Sequence, residues 1–260
     1  MVNRPVDPGP TPDDTTDFGF RRVPESEKPS LVRDLFDNVA GRYDLMNDLM
    51  SGGIHRLWKG AMIDWLAPQP GCHLVDLAGG TGDIAFRVLD RIGGSDHGRI
   101  SVCDLSSEMI AVGRTRAWDR GLVKGIDWIC TDAECLPLAD ASADAVTIAF
   151  GIRNVTHIDA VLIEARRVLR PGGRLLCLEF CPEVDPLLAP LYERYSFGVL
   201  PWLGGVVQGD RDAYTYLAES IRRFPAPDRF AALIEAAGLD LVKVRRLSGG
   251  VAALHSAWRL

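Results

Sequence analysis

Between His73 and Phe180 short apolar runs alternate with amphipathic stretches, and this alternation restricts the chain to few architectures. His73–Leu77, Arg99–Asp104, Ile126–Thr131, Ala145–Phe150 and Arg174–Phe180 read as strands. Residues 83–92, 106–120 and 158–170 carry apolar side chains at helical spacing, the second stretch opening on Ser106. A strand that rejoins its sheet in the same direction needs a crossover, and a helix supplies it. Repeated strand–helix units therefore predict an α/β fold, a doubly wound and mostly parallel sheet with helices on both faces. The end of the chain breaks this rhythm. A helix over Pro227–Ala237 stops at Gly238, and Leu239–Leu247 and Val251–Trp258 follow as two strands joined by Ser248-Gly249-Gly250.

The flanks read differently. Residues 1–29 hold six of the 16 prolines and few apolar side chains beyond Phe18 and Phe20, a composition that predicts a disordered tail. From Ser30, taken as an N-cap, Leu31, Leu35, Phe36 and Val39 form a helical stripe, and a second helix spans Ile54–Leu66. One domain over 30–260 is expected, with helical cap elements at 30–66 and 183–224, the latter rich in aromatics such as Tyr192, Phe197, Trp202, Tyr214 and Tyr216. Lys and Arg total 29 against 35 Asp and Glu, a net charge of −6 that argues against a nucleic-acid partner. No apolar run reaches the ~18 residues of a membrane span, and no secretory signal opens the chain. A cytoplasmic protein is expected. The six cysteines include no Cys-x-x-Cys pair and the five histidines are scattered, so no metal site is expected and reduced thiols are.

Asp76-Leu-Ala-Gly-Gly-Thr-Gly-Asp83 is the strongest local motif. Glycines at the carboxyl end of a strand let backbone approach a ligand where side chains would collide. An acid leads, and the glycines at 79, 80 and 82 crowd behind it, unlike the Gly-x-Gly-x-x-Gly of dinucleotide sites. Asp104 closes the next strand, where such folds place a carboxylate on ribose hydroxyls, and Asp132 follows the third. Each acid alone would also serve as a helix cap; three at successive strand ends would line one sheet edge.

The loop Asp76–Asp83, the acid at Asp104 and Leu169-Arg-Pro-Gly-Gly173 before the fifth strand resemble class I S-adenosylmethionine methyltransferases. That likeness implies a seven-stranded Rossmann-like sheet with an antiparallel seventh strand inserted between strands five and six. Tyr43-Asp-Leu-Met-Asn47 through Trp58, Phe150-Gly-Ile-Arg-Asn154, Tyr216-Leu-Ala-Glu-Ser220 and Gly249-Gly-Val-Ala-Ala-Leu-His255 narrow the resemblance to the ubiquinone/menaquinone biosynthesis C-methyltransferases, over roughly residues 31–260. Ala78, Ala149, Arg170 and Cys181 depart from the residues usual there, Ala149 by lacking a hydroxyl on the cofactor side.

The resemblance implies S-adenosyl-L-methionine held by Asp76, Gly79, Gly80, Thr81, Gly82, Asp104, Leu105, Asp132, Ala133 and Ala149. It implies C-methylation of a polyprenylated hydroquinone, 2-polyprenyl-benzoquinol or demethylmenaquinol. Peripheral contact with the inner membrane face or with a quinone-synthesis complex would accompany it, and a homo-oligomer is left open. Arg153, just after the fourth strand, would stabilise a ring phenolate, and Tyr43 and Asp44 would lid the site. His55, Trp58 and His255 read as packing or rim residues. A nicotinamide oxidoreductase, a sterol or lipid methylase and a non-catalytic scaffold subunit are the rival readings.

Overall fold

The computed structural model describes residues 14–42, 47–48, 51–185 and 211–260. Seven strands form the main sheet: β3 (His73–Leu77), β4 (Arg99–Asp104), β5 (Ile126–Cys130), β6 (Ala143–Ala149), β7 (Leu169–Phe180), β8 (Asp240–Leu247) and β9 (Ala252–Trp258). Their order is β5-β4-β3-β6-β7-β9-β8, parallel from β5 through β7, with β9 antiparallel to both of its neighbours. The expected insertion of the last strand is thus present. From β3 the chain winds outward to β4 and β5, then returns to β6 on the other side. That reversal opens a crevice beyond the carboxyl ends of β3 and β6, where ligands of open α/β sheets bind.

Both faces of the sheet are buried, which is why its central strands read as nearly unbroken apolar runs. Alternate residues go to opposite cores. Leu74, Ile100, Val102, Ala145, Leu176 and Leu178 pack beneath α2 (His55–Leu66) and α3 (Asp83–Ile92). Val75, Leu77, Val146, Ile148, Leu175 and Cys177 pack beneath α5 (Ile158–Val168) and α7 (Pro227–Ala236). The helix α4 (Ser107–Asp119) starts one residue later than the sequence stretch, with Ser106 as its cap, the Ser106 hydroxyl accepting from the Met109 N–H at 3.0 Å. Helix α5 ends at Val168, two residues early, because Leu169 is extended and Pro171-Gly172-Gly173 belongs to β7.

Two expectations fail at the N-terminus. Helix α1 (Lys28–Val39) begins before Ser30; Glu27 occupies the cap position without a capping side chain, and the Ser30 hydroxyl donates back to the Glu27 carbonyl. Ahead of it, residues assigned to a disordered tail form a hairpin, β1 (Thr15–Phe18) and β2 (Arg21–Pro24). The hairpin is held from outside. Phe18 stacks on Tyr216 of α6 (Arg211–Arg223) at 4.4 Å, the Phe20 N–H donates to Glu219, and His157 bridges Glu25 and Glu134. One stacked ring and a few polar ties to the rest of the chain thus hold this polar segment, Phe20 itself staying half exposed. Residues 1–13 and the aromatics at 192, 195, 197 and 202 lie outside the described residues. All six cysteines are free thiols; 103, 177 and 181 are buried, 72 is half-buried, 130 and 135 are exposed. Among the described residues no helix is long and apolar enough to cross a membrane.

Candidate cofactor site at the sheet switch point

After Leu77 the chain turns sharply through Ala78 (φ 48°) and Gly80 (φ 52°), and Gly82 (φ 82°) precedes α3. A Cβ on Gly79 would lie 2.8 Å from both Asp76 Oδ2 and Val102 Cγ1, and one on Gly80 would lie 2.9 Å from the Met109 methyl. Glycine is therefore required here by contact as well as by dihedral. Asp104 anchors the turn, accepting from the Gly80 N–H at 2.8 Å and from the Ser106 N–H at 2.9 Å. The Thr81 hydroxyl accepts from the Arg116 guanidinium at 2.9 Å. Asp76, 1% exposed, accepts from the Thr147 hydroxyl through Oδ1, while its Oδ2 has no partner.

Two cavities meet at Ala78. The larger is lined by Asp104, Leu105, Asp132 and Ala133 together with Val32, Phe36, Met109, Phe150 and Asn154. The smaller is lined by Asp76, Gly79, Gly80, Thr81, Ala149, Lys59 and Asp83. Gly82 lines neither; a Cβ there would strike the Trp128 ring at 2.7 Å, so its smallness serves packing. Asp132 spends Oδ1 on the Glu134 N–H and still faces the larger cavity. Burial pushes the Asp76 carboxyl up to about 7 against the Thr147 hydrogen bond, and burial likewise pushes Asp104 up to about 6 against its backbone donors. Asp83 goes the other way. Burial alone would raise it, but the Lys59 ammonium and the Arg87 guanidinium hold it down to about 2.

The residues present fit S-adenosylmethionine. A buried carboxylate oxygen without a partner, a glycine cradle, and acids at the ends of β3 and β4 and just beyond β5 suit a ligand carrying ribose hydroxyls and positive charge.

Arg153 is placed otherwise than expected. Its side chain, 2% exposed, pairs with Glu179 at 2.7 Å, donates to the Phe150 carbonyl, and lies over the Phe180 ring at 5.7 Å. It lines neither cavity of the cofactor site but a third one, beyond Val155 and Thr156, with Lys28, Tyr216 and Ser220. Its neighbour Asn154 faces the larger cavity instead and accepts from the Tyr216 hydroxyl at 3.1 Å. Tyr43 and Asp44 lie outside the described residues. Trp58 packs against Phe150 and Phe180 and donates to the Ser248 hydroxyl, as a packing residue should. His255 is not at a rim: β9 is internal, and the imidazole is buried against Phe230 and the Pro227 carbonyl. Sequence reasoning missed Lys59, Phe36 and Asn154. For Lys59 a signal existed, a lysine beside Trp58 and one turn from Met62 and Ile63 on the apolar side of its helix.

The ubiE/COQ5 methyltransferase family model matches residues 22–259. A Paracoccus denitrificans protein named ubiquinone/menaquinone biosynthesis C-methyltransferase UbiE is 56% identical over 252 residues, covering 96% of this chain and all of that protein. A Cereibacter sphaeroides protein of the same name is 54% identical over 95% of this chain and 97% of its own length. Among solved structures, a SAM-dependent methyltransferase from Aquifex aeolicus superposes with TM-score 0.59 at 16% identity, over 89% of this chain and 98% of that one. The cyclase SpnF also reaches 0.59, at 18% identity over 88% of this chain and 94% of its own. Likeness at that distance speaks for the fold alone, since one frame hosts many chemistries. The assignment rests on the sequence relatives and the family match, which take in glycine loop and closing strands alike: the chain belongs to the ubiE/COQ5 methyltransferase family.

Proposed function

We propose that the protein methylates a ring carbon of a polyprenylated hydroquinone in ubiquinone or menaquinone biosynthesis, using S-adenosylmethionine bound at the β3–β6 crevice. The observation that carries this reading is the pair of cavities meeting at Ala78, one edged by the Asp104 carboxylate and the other built on the glycine loop. When bound, the cofactor supplies an electrophilic methyl group, so the protein's work is alignment and exclusion of water. Asp104 and Asp132 would take ribose and base, with Leu105 and Ala133 beside them; Asp76, Gly79, Gly80, Thr81 and Ala149 would surround the methionine end. Val32, Phe36 and Phe150 give the larger cavity an apolar wall suited to a ring.

Arg153 acts in this reading as a positioning residue. Its pair with Glu179 and its bond to the Phe150 carbonyl tie down the 3-10 turn Ile152–Asn154, which presents Asn154 to the cavity. The prenyl tail of such a substrate would hold it in a membrane, and this favours a peripheral location for the protein at the membrane surface. Deleting the gene and profiling the quinones by mass spectrometry tests the assignment. Accumulation of a species one methyl lighter, cleared by restoring the gene, is expected; an unchanged quinone pool would refute it.

A further inference from the structure

Lys59 carries more than the fold requires. It lies on α2 with 4% of its surface exposed, and lysine is seldom buried so deeply without full compensation. An ammonium has three N–H donors. Among the described residues Lys59 spends one, on Asp83 Oδ2 at 2.8 Å. Asp83 in turn is shared, its Oδ1 accepting from Arg87 at 2.9 Å, so one carboxylate faces two cations. The Lys59 Nζ also lies 5.9 Å from the centre of the Phe150 ring, and two N–H donors without a hydrogen-bond partner among the described residues border the smaller cavity, which Asp76 lines as well.

Among the described residues lining that cavity Lys59 is the only cation, and the amino terminus of α3 opens beside it, adding a favourable field for an anion. Two further cations touch residues of this cavity without lining it: Arg116 donates to the Thr81 hydroxyl and Arg87 to Asp83. With adenosine and ribose on the Asp104 side of Ala78, the amino-acid end of the cofactor falls in the smaller cavity. We propose that Lys59 is the receptor for the cofactor's methionine carboxylate, with Asp83, itself anchored by Arg87, holding the Lys59 ammonium in place. This rests on the reading of the crevice as the S-adenosylmethionine site.

Calorimetry on the full chain with two probes tests it: S-adenosylmethionine and decarboxylated S-adenosylmethionine, which lacks only that carboxylate. Lys59→Met should weaken binding of the first about 10- to 100-fold, the range for hydrogen bonds to charged groups, and leave the second unchanged. Equal loss for both probes, or no loss for either, would overturn the assignment. Should Lys59→Met fail to fold, as a melting curve would show, the Lys59→Met/Asp83→Asn pair removes both charges of the ion pair and is read against Asp83→Asn alone. Failure of the crevice reading looks different, since the unmodified chain would then bind neither compound.

Discussion

Buried ionisable side chains set the behaviour of this site one residue at a time. Arg153 and Glu179 are almost wholly enclosed, and each compensates the other. Arg153→Met should therefore cost about 3–5 kcal/mol in denaturant unfolding, the usual penalty for stranding a buried charge, with Glu179→Gln in the same chain recovering part of it. A fall in turnover in the single variant would say nothing about a phenolate until that stability is restored. Asp76 carries a pH signature. Its carboxyl is raised to about 7 from an ordinary value near ~3.9, so the folded form holds the proton more tightly than the unfolded one. That contribution is complete below about pH 4 and is lost as pH rises through 7. Asp76→Asn should raise the Tm of the unliganded protein at pH 8, the gain shrinking as pH falls from 7 toward 4; a constant offset would mean the carboxyl titrates normally. Asp104→Ala removes the acceptor of two loop N–H groups and should weaken S-adenosylmethionine by about 1.5–3 kcal/mol in calorimetry.

At the scale of elements, the N-terminal hairpin is the piece that composition misjudged. Phe18 on Tyr216, Phe20 on Glu219 and Glu25 on His157 tie it to α6 and to the loop bearing Glu134, and Pro29 at its exit lines the larger cavity. A chain beginning at Lys28 should melt several degrees lower than the whole protein in differential scanning calorimetry, and Phe18→Ala should reproduce much of that loss. Equal melting temperatures would show the hairpin to be ornamental.

For the molecule as a whole, the site depends on two loops meeting across the switch point. Gly151 has an ordinary φ of −119°, yet a Cβ there would sit 2.4 Å from the Cβ of Ala78. The constraint belongs to the contact between the β3 and β6 loops, not to either loop. Gly151→Ala should spread them, weakening cofactor binding at least tenfold while far-UV circular dichroism stays unchanged. Normal binding would mean the crevice tolerates the wider spacing.

What the sequence determined by itself was local and periodic. The strand–helix alternation, the doubly wound class and the acid-led glycine turn all follow from side chains a few positions apart, because hydrogen-bonding period and dihedral restriction act over that range. Asp76, Asp104 and Asp132 were legible for the same reason, each standing at or just beyond a strand end. Only tertiary structure decided that Arg153 turns to Glu179, 26 residues away, that Lys59 reaches Asp83, 24 away, and that Phe18 finds Tyr216. A buried charge or an apolar ring must be compensated by whatever the completed fold brings within a few ångströms, and nothing in its own neighbourhood of the chain names that partner.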